Sequence, residues 1–141
     1  MYDLSELSKE EGRMLSIFAV LPAENIPFDI LEDLLSEDNL DEILLSLFQK
    51  GWLDFNEEEN SFKVSPVIQE ITKEKNNDVL EDCEKLIDNL IEKLDYEEAI
   101  GHLKNVSYEA AILLIRYSEN IYDSFEIPNY DLGILLSLIH I

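Results

Sequence analysis

Leu40, Ile43, Leu44, Leu47 and Phe48 stand at i, i+3, i+4, i+7 and i+8, one unbroken apolar stripe along a helix. Gly51 follows Lys50 where a left-handed cap would end that helix. Straight after it the period changes. Trp52-Leu53-Asp54-Phe55 is short and aromatic, Asn56-Glu57-Glu58-Glu59-Asn60 is a polar turn, and Ser61-Phe62-Lys63-Val64 alternates polar with apolar. This predicts a β-hairpin of two short strands. Its loop exceeds a tight two-residue turn, so the pattern leaves the register open. A strong helix feeding directly into a hairpin is the feature that most restricts the fold.

The flanking segments extend the pattern. Ser8 with Glu11 fits a capping box, in which each side chain satisfies an orphan backbone N–H of the other residue. Met14, Leu15, Phe18 and Ala19 keep helical spacing until Pro22 ends the first helix. Pro27 suits the first turn of a second helix, whose apolar face is Ile30, Leu31, Leu34 and Leu35. Pro66 opens a fourth helix with Val67, Ile68 and Ile71 expected inward. Helix, helix, helix, two-stranded wing and helix make a winged-helix arrangement over residues 1–77. Its expected core is the Leu40–Phe48 stripe on Leu15, Phe18, Ile30 and Leu34, with Trp52 and Phe55 closing one side. Each such side chain contributes about 1.5–3 kcal/mol when buried, enough for a small domain.

After Lys75-Asn76-Asn77-Asp78 the pattern is purely helical, giving a second region over residues 78–135. Val79, Cys83, Leu86, Ile87, Leu90, Ile91 and Leu94 predict one helix. Tyr96, Ala99, Ile100 and Leu103 predict a shorter one, and Tyr108, Ala111, Ile112, Leu114 and Ile115 the next. Short breaks between them suit antiparallel helical hairpins, the start of an α-solenoid. Ile127, Leu132, Ile134 and Leu135 would then need a further layer to cover them. The fold class is therefore expected to be mainly α.

The last six residues, Leu136-Ser137-Leu138-Ile139-His140-Ile141, match in one frame the translation of a transposon-end adapter used to prepare sequencing libraries. They are read as an artefactual tail (136–141) rather than a natural apolar helix end. On that expectation the natural chain continues past Leu135, Met1 is an internal start, and His140 is assigned no role.

Charge narrows the function. The 141 residues carry 32 Asp and Glu against 10 Lys and Arg, a net charge of −22. Nucleic-acid affinity comes mostly from cations neutralising phosphates, so a surface of this sign is repelled. Anionic membranes repel it too. Basic partners are favoured, although acids on exposed helix faces also serve solubility alone. On a winged helix the DNA-reading parts would be the third helix and the wing. Here Asp41–Lys50 holds two acids and one base, and Asp54–Lys63 four acids and one base. No signal peptide pattern and no membrane span is present, so a cytoplasmic location is expected.

Catalytic constellations are missing. Four scattered glycines, Gly12, Gly51, Gly101 and Gly133, make no phosphate loop. The single cysteine, Cys83, sits on an apolar helical face, where a structural thiol is expected. His102 and Cys83 lie on regular helical patterns with no third group to orient them. Asp54, Glu57, Glu58 and Glu59 share a turn but lack the spacing of a calcium loop. Glu97 and Glu98 suit a helix N-terminus. No catalytic or metal residue is assigned.

Leu15 to Lys75 resembles the winged-helix domain of NB-ARC-type signal-transducing NTPases (the STAND class). The resemblance lies in "LSIFAVLPAENIPFDILEDLL", "LDEILLSLFQKGWLDF" and "FKVSPVIQEITKEK". In "YEEAIGHLKNV" and "YEAAILLIRYSENIY" the Tyr and Ala spacing is similar to helical pairs that lead into tetratricopeptide repeats, though neither is a full repeat. The resemblance implies a regulatory, non-catalytic fragment. Its winged helix would pack on an upstream NTPase core and its helices would begin a repeat array that senses a protein partner. ATP or ADP would be bound only through that upstream domain, whose phosphate loop and metal-binding acid have no counterpart here. In many members a His ending the second wing strand approaches the nucleotide. Ser65 stands at the matching position, able to donate a hydrogen bond but carrying no charge. Two other readings remain open: a winged-helix transcriptional regulator, and a stand-alone acidic protein that binds a basic partner.

Overall fold

The computed structural model describes residues 3–35, 37–100, 108–125 and 133–134. It is mainly helical with one small antiparallel sheet. The chain divides into two compact units, Met1–Cys83 and Glu84–Ile141.

The first unit opens with a 3₁₀ turn, Leu4–Glu6, and then α1, Lys9–Val20. The expected capping box is present: Ser8 Oγ accepts the Glu11 N–H at 3.1 Å, and Glu11 Oε1 accepts the Ser8 N–H at 2.9 Å. Next come β1 (Ile26–Pro27), α2 (Phe28–Leu35), α3 (Leu40–Gln49), β2 (Asp54–Asn56), β3 (Ser61–Lys63), α4 (Pro66–Lys75) and α5 (Val79–Asp82). The α1 helix is the hub, packed against α3, α4 and α5. Its Met14, Leu15, Phe18 and Val20 are buried with Leu31 and Leu34 of α2 and with Leu40, Ile43, Leu44 and Leu47 of α3. Trp52 and Phe62 are buried as well.

The fold departs from the sequence expectations at four points. Pro27 belongs to a strand, not to the first turn of α2. Ile26 pairs with Phe62 and Pro27 with Ser61, so the sheet has three strands in the order β1-β3-β2 instead of a two-stranded wing. Proline lacks an N–H and is tolerated on an edge strand such as β1. The Phe28 N–H then donates to the Asn60 carbonyl at 2.9 Å where α2 begins.

Phe48 and Val67 also differ from expectation. Phe48 is 41% exposed and Val67 64% exposed, while Ile71 is half-buried. In α4 the inward positions go partly to polar groups. Gln69 Nε2 donates to the carbonyls of Phe18 (3.0 Å) and Leu21 (2.7 Å), and buried Thr72 donates to the Ile68 carbonyl at 2.8 Å. The last carbonyls of a helix lack intrahelical donors, and Gln69 supplies them for α1.

Third, Val79–Leu94 is not one helix. It breaks at Cys83 between α5 and α6, Glu84–Ile100. Side chains pin that break to α1. Ser16 Oγ donates to Asp82 Oδ2 at 2.8 Å and accepts from Asn76 Nδ2 at 2.6 Å, and Asn76 also reaches Asp82 at 3.1 Å. The first unit thus takes in α5. Fourth, no break precedes Tyr96, because α6 runs through it to Ile100.

The second unit contains α6 and α7, Tyr108–Asp123, which lie against each other. Leu86, Ile87, Leu90, Tyr117 and Ile121 are buried. Gly101–Ser107, with His102 and Leu103, lies outside the described residues, as do Ile127, Leu132, Leu135 and the 136–141 tail.

Candidate functional site

Ser65 is the one position singled out for a ligand. Extended backbone at Ser65 (φ −81°, ψ 152°) leads into Pro66 at the first helical position, where a missing N–H costs nothing. Its Oγ accepts the Ile68 N–H at 3.3 Å, and its carbonyl accepts the Gln69 N–H at 3.1 Å. The hydroxyl is therefore engaged as the N-cap of α4. Nothing in its geometry adds the positive charge that a phosphate contact from this strand end would use.

Cys83 is a buried free thiol. Burial, and secondly the Asp82 carboxylate, push it up to about 12. Its Sγ donates to the Ser16 carbonyl at 3.5 Å. A thiol held protonated in this way is a poor nucleophile at neutral pH. Its suggested partner His102 lies outside the described residues. Among the described residues no group of three or more His, Cys, Asp or Glu could hold a metal ion. The turn bearing Glu57, Glu58 and Glu59 is open to solvent.

One group escaped sequence reasoning in its second role. The capping-box pattern explains only part of what Glu11 does, for its side chain is buried. Its Oε2 accepts from Ser46 Oγ at 2.6 Å, and both carboxylate oxygens accept from Lys50 Nζ at 2.8 and 2.9 Å. Burial pushes this carboxyl up, but the Lys50 ammonium, the Ser46 hydroxyl and the Ser8 N–H and hydroxyl outweigh it and hold it at about 2. The ion pair fastens the start of α1 to the end of α3. Arg13 makes a second ion pair, with Glu37 just ahead of α3.

Fixed in this way, α3 turns one face outward: Asp41, Glu42, Leu45, Phe48 and Gln49. Phe48 meets Phe55 of β2 with ring centroids 5.8 Å apart, and Phe55 meets Phe62 of β3 at 4.8 Å. Two lysines flank this face, at the end of α3 and on β3. Lys50 is committed to Glu11, and Lys63 is the register partner of Asp54.

No family model, curated protein or solved structure matches the chain. Among the described residues no helix is long and apolar enough to cross a membrane.

Proposed function

We propose that this chain is a winged-helix module followed by the first helices of a partner-sensing repeat array, with a non-catalytic regulatory role in a signalling NTPase of the NB-ARC type. The observation that carries this reading is the connectivity α1-β1-α2-α3-β2-β3-α4 with sheet order β1-β3-β2. In a winged helix the strand after the first helix adds to the wing hairpin in this way. The three segments of resemblance fall on these elements in the same order. The role assigned to the module is to pack on an upstream NTPase core and help hold it inactive. ATP or ADP enters only through that core, since the Ser65 hydroxyl caps α4.

The acidic third helix and wing favour protein packing over a transcriptional role. A labelled DNA duplex should show no anisotropy change below about 100 μM protein, the weak end of ordinary non-specific binding. Binding tighter than about 1 μM would instead favour a transcriptional regulator. The decisive test is the source DNA on both sides of the reading frame. An upstream Gly-rich phosphate loop and downstream helical repeats are expected. A natural frame running only from Met1 to near Leu135 would overturn the NTPase assignment.

A further inference from the structure

The outward face of α3 combines two features that seldom meet on a solvated surface. Leu45 and Phe48, one helical turn apart, are each 41% exposed, and Phe48 continues through its ring contact into half-buried Phe55. An apolar patch is thus continuous from helix to hairpin. Its exposed surroundings are rich in carboxylates: Asp41 and Glu42 at the start of α3, Asp54 on β2, and Glu57, Glu58 and Glu59 on the hairpin turn, while the exposed Lys50 is paired with Glu11. A protein-binding surface has an apolar centre and a polar rim, and the rim charge selects the partner.

We infer that the α3–hairpin face is a docking site for a basic amphipathic helix, with large apolar side chains seated on Leu45, Phe48 and Phe55 and Lys or Arg facing the acidic rim. Charge decides the occupant. A second copy of this chain would set carboxylates against carboxylates at a net charge of −22 per molecule. A duplex would meet the same repulsion. A neutral apolar segment would leave six carboxylates unanswered. A helix carrying i, i+3, i+4, i+7 anchors and basic flanks answers both features at once. This holds whether or not the chain carries an NTPase core.

The test uses the full chain and a fluorescein-labelled synthetic helix with Leu and Trp at i, i+3, i+4 and i+7 and Lys elsewhere. A scrambled peptide of equal composition and a Glu-for-Lys version serve as comparisons. The Lys helix should bind at least about tenfold tighter than the scramble, a difference of one decade in Kd. Amide shifts should change around Leu45, Phe48 and Phe55. The double variant Leu45→Ser/Phe48→Ser should weaken binding at least about tenfold, as loss of central anchors does. Glu57→Lys/Glu58→Lys/Glu59→Lys, on an exposed turn, should slow association and flatten the salt dependence. Circular dichroism confirms that each variant folds. Absence of binding overturns the inference. So does equal binding of helix and scramble, shifts spread over other faces, or sedimentation as a dimer that Leu45→Ser/Phe48→Ser abolishes.

Discussion

Replacing Glu11 by Gln keeps the size and most hydrogen-bond positions of the side chain but removes its charge. The native carboxyl sits at about 2 against an ordinary 4.5. At about 1.36 kcal/mol per pH decade, that difference corresponds to about 3 kcal/mol of stability at neutral pH. Lys50, whose side chain is 45% exposed, is partly screened by solvent, which lowers the expected value to about 2 kcal/mol. The sign follows from a depressed carboxyl. The stabilisation is complete above about pH 5 and is lost as the pH falls toward 2. The difference between native protein and Glu11→Gln should therefore shrink from about 2 kcal/mol at pH 7 to nearly nothing near pH 2. Subtracting the variant cancels the titration of the other acids, which both proteins share. Urea unfolding at several pH values measures it, followed by fluorescence of Trp52, the sole tryptophan and 5% exposed in the same unit. A difference below about 0.5 kcal/mol at pH 7, the range of ordinary surface changes, would refute the reasoning. So would one that does not fall with pH. Lys50→Met should destabilise too, by leaving the buried carboxylate without its cation.

Four further outcomes are expected. Ser65→Ala should lower stability by about 1 kcal/mol through loss of the α4 cap, read from the urea midpoint. Gly51 has φ +86° and open space around a would-be Cβ, so Gly51→Ala should cost about 1–2 kcal/mol from backbone strain alone, with no clash, measured by thermal unfolding. Cys83 should react with a thiol reagent only after urea is added, because burial holds it protonated; prompt reaction in the native protein would contradict its placement. Ser61 Oγ is buried without a hydrogen-bond partner. Ser61→Ala should therefore be neutral or stabilising by up to about 1 kcal/mol in the same urea assay, unlike a typical buried substitution.

The features legible in the sequence are those decided by a few neighbouring residues. The Ser8–Glu11 capping box, the left-handed Gly51 and the Pro66 start of α4 need no knowledge of the rest of the chain. The hairpin was legible because aromatic and alternating residues flank a polar turn. The strand β1 was not: two residues show no alternation, and Ile26-Pro27 becomes a strand only because β3 lies beside it. Phe48 and Val67 carry the correct helical spacing, but spacing says nothing about which neighbour is present to cover them. The inward face of α4 was misread for a related reason. Gln69 looks like a surface residue until the end of α1 needs donors for its carbonyls, and buried Thr72 satisfies its hydroxyl on the Ile68 carbonyl of its own helix. The break at Cys83 likewise depends on Ser16, far away in sequence. As for the candidate sites, the sign of the α3 and hairpin surface was plain from composition. The exposed Leu45–Phe48–Phe55 patch and the second role of Glu11 required the fold.

Those last two features are linked. A docking face gains affinity when it needs no reordering on binding. The end of α3 is held by the Lys50–Glu11 pair and the Ser46–Glu11 hydrogen bond, and its inner face along its length by four buried side chains, Leu40, Ile43, Leu44 and Leu47. Gly51 then turns the chain immediately, and the Trp52 N–H donates to the Leu47 carbonyl at 2.9 Å, so β2 leaves α3 with little slack. This short, anchored exit sets Phe48 against Phe55 and makes one patch of residues from two elements. Loosening the exit should weaken the docking face even though Glu11 lies off it. Glu11→Gln should therefore lower affinity for the Lys helix by a modest factor at pH 7, without altering the salt dependence that the acidic rim governs.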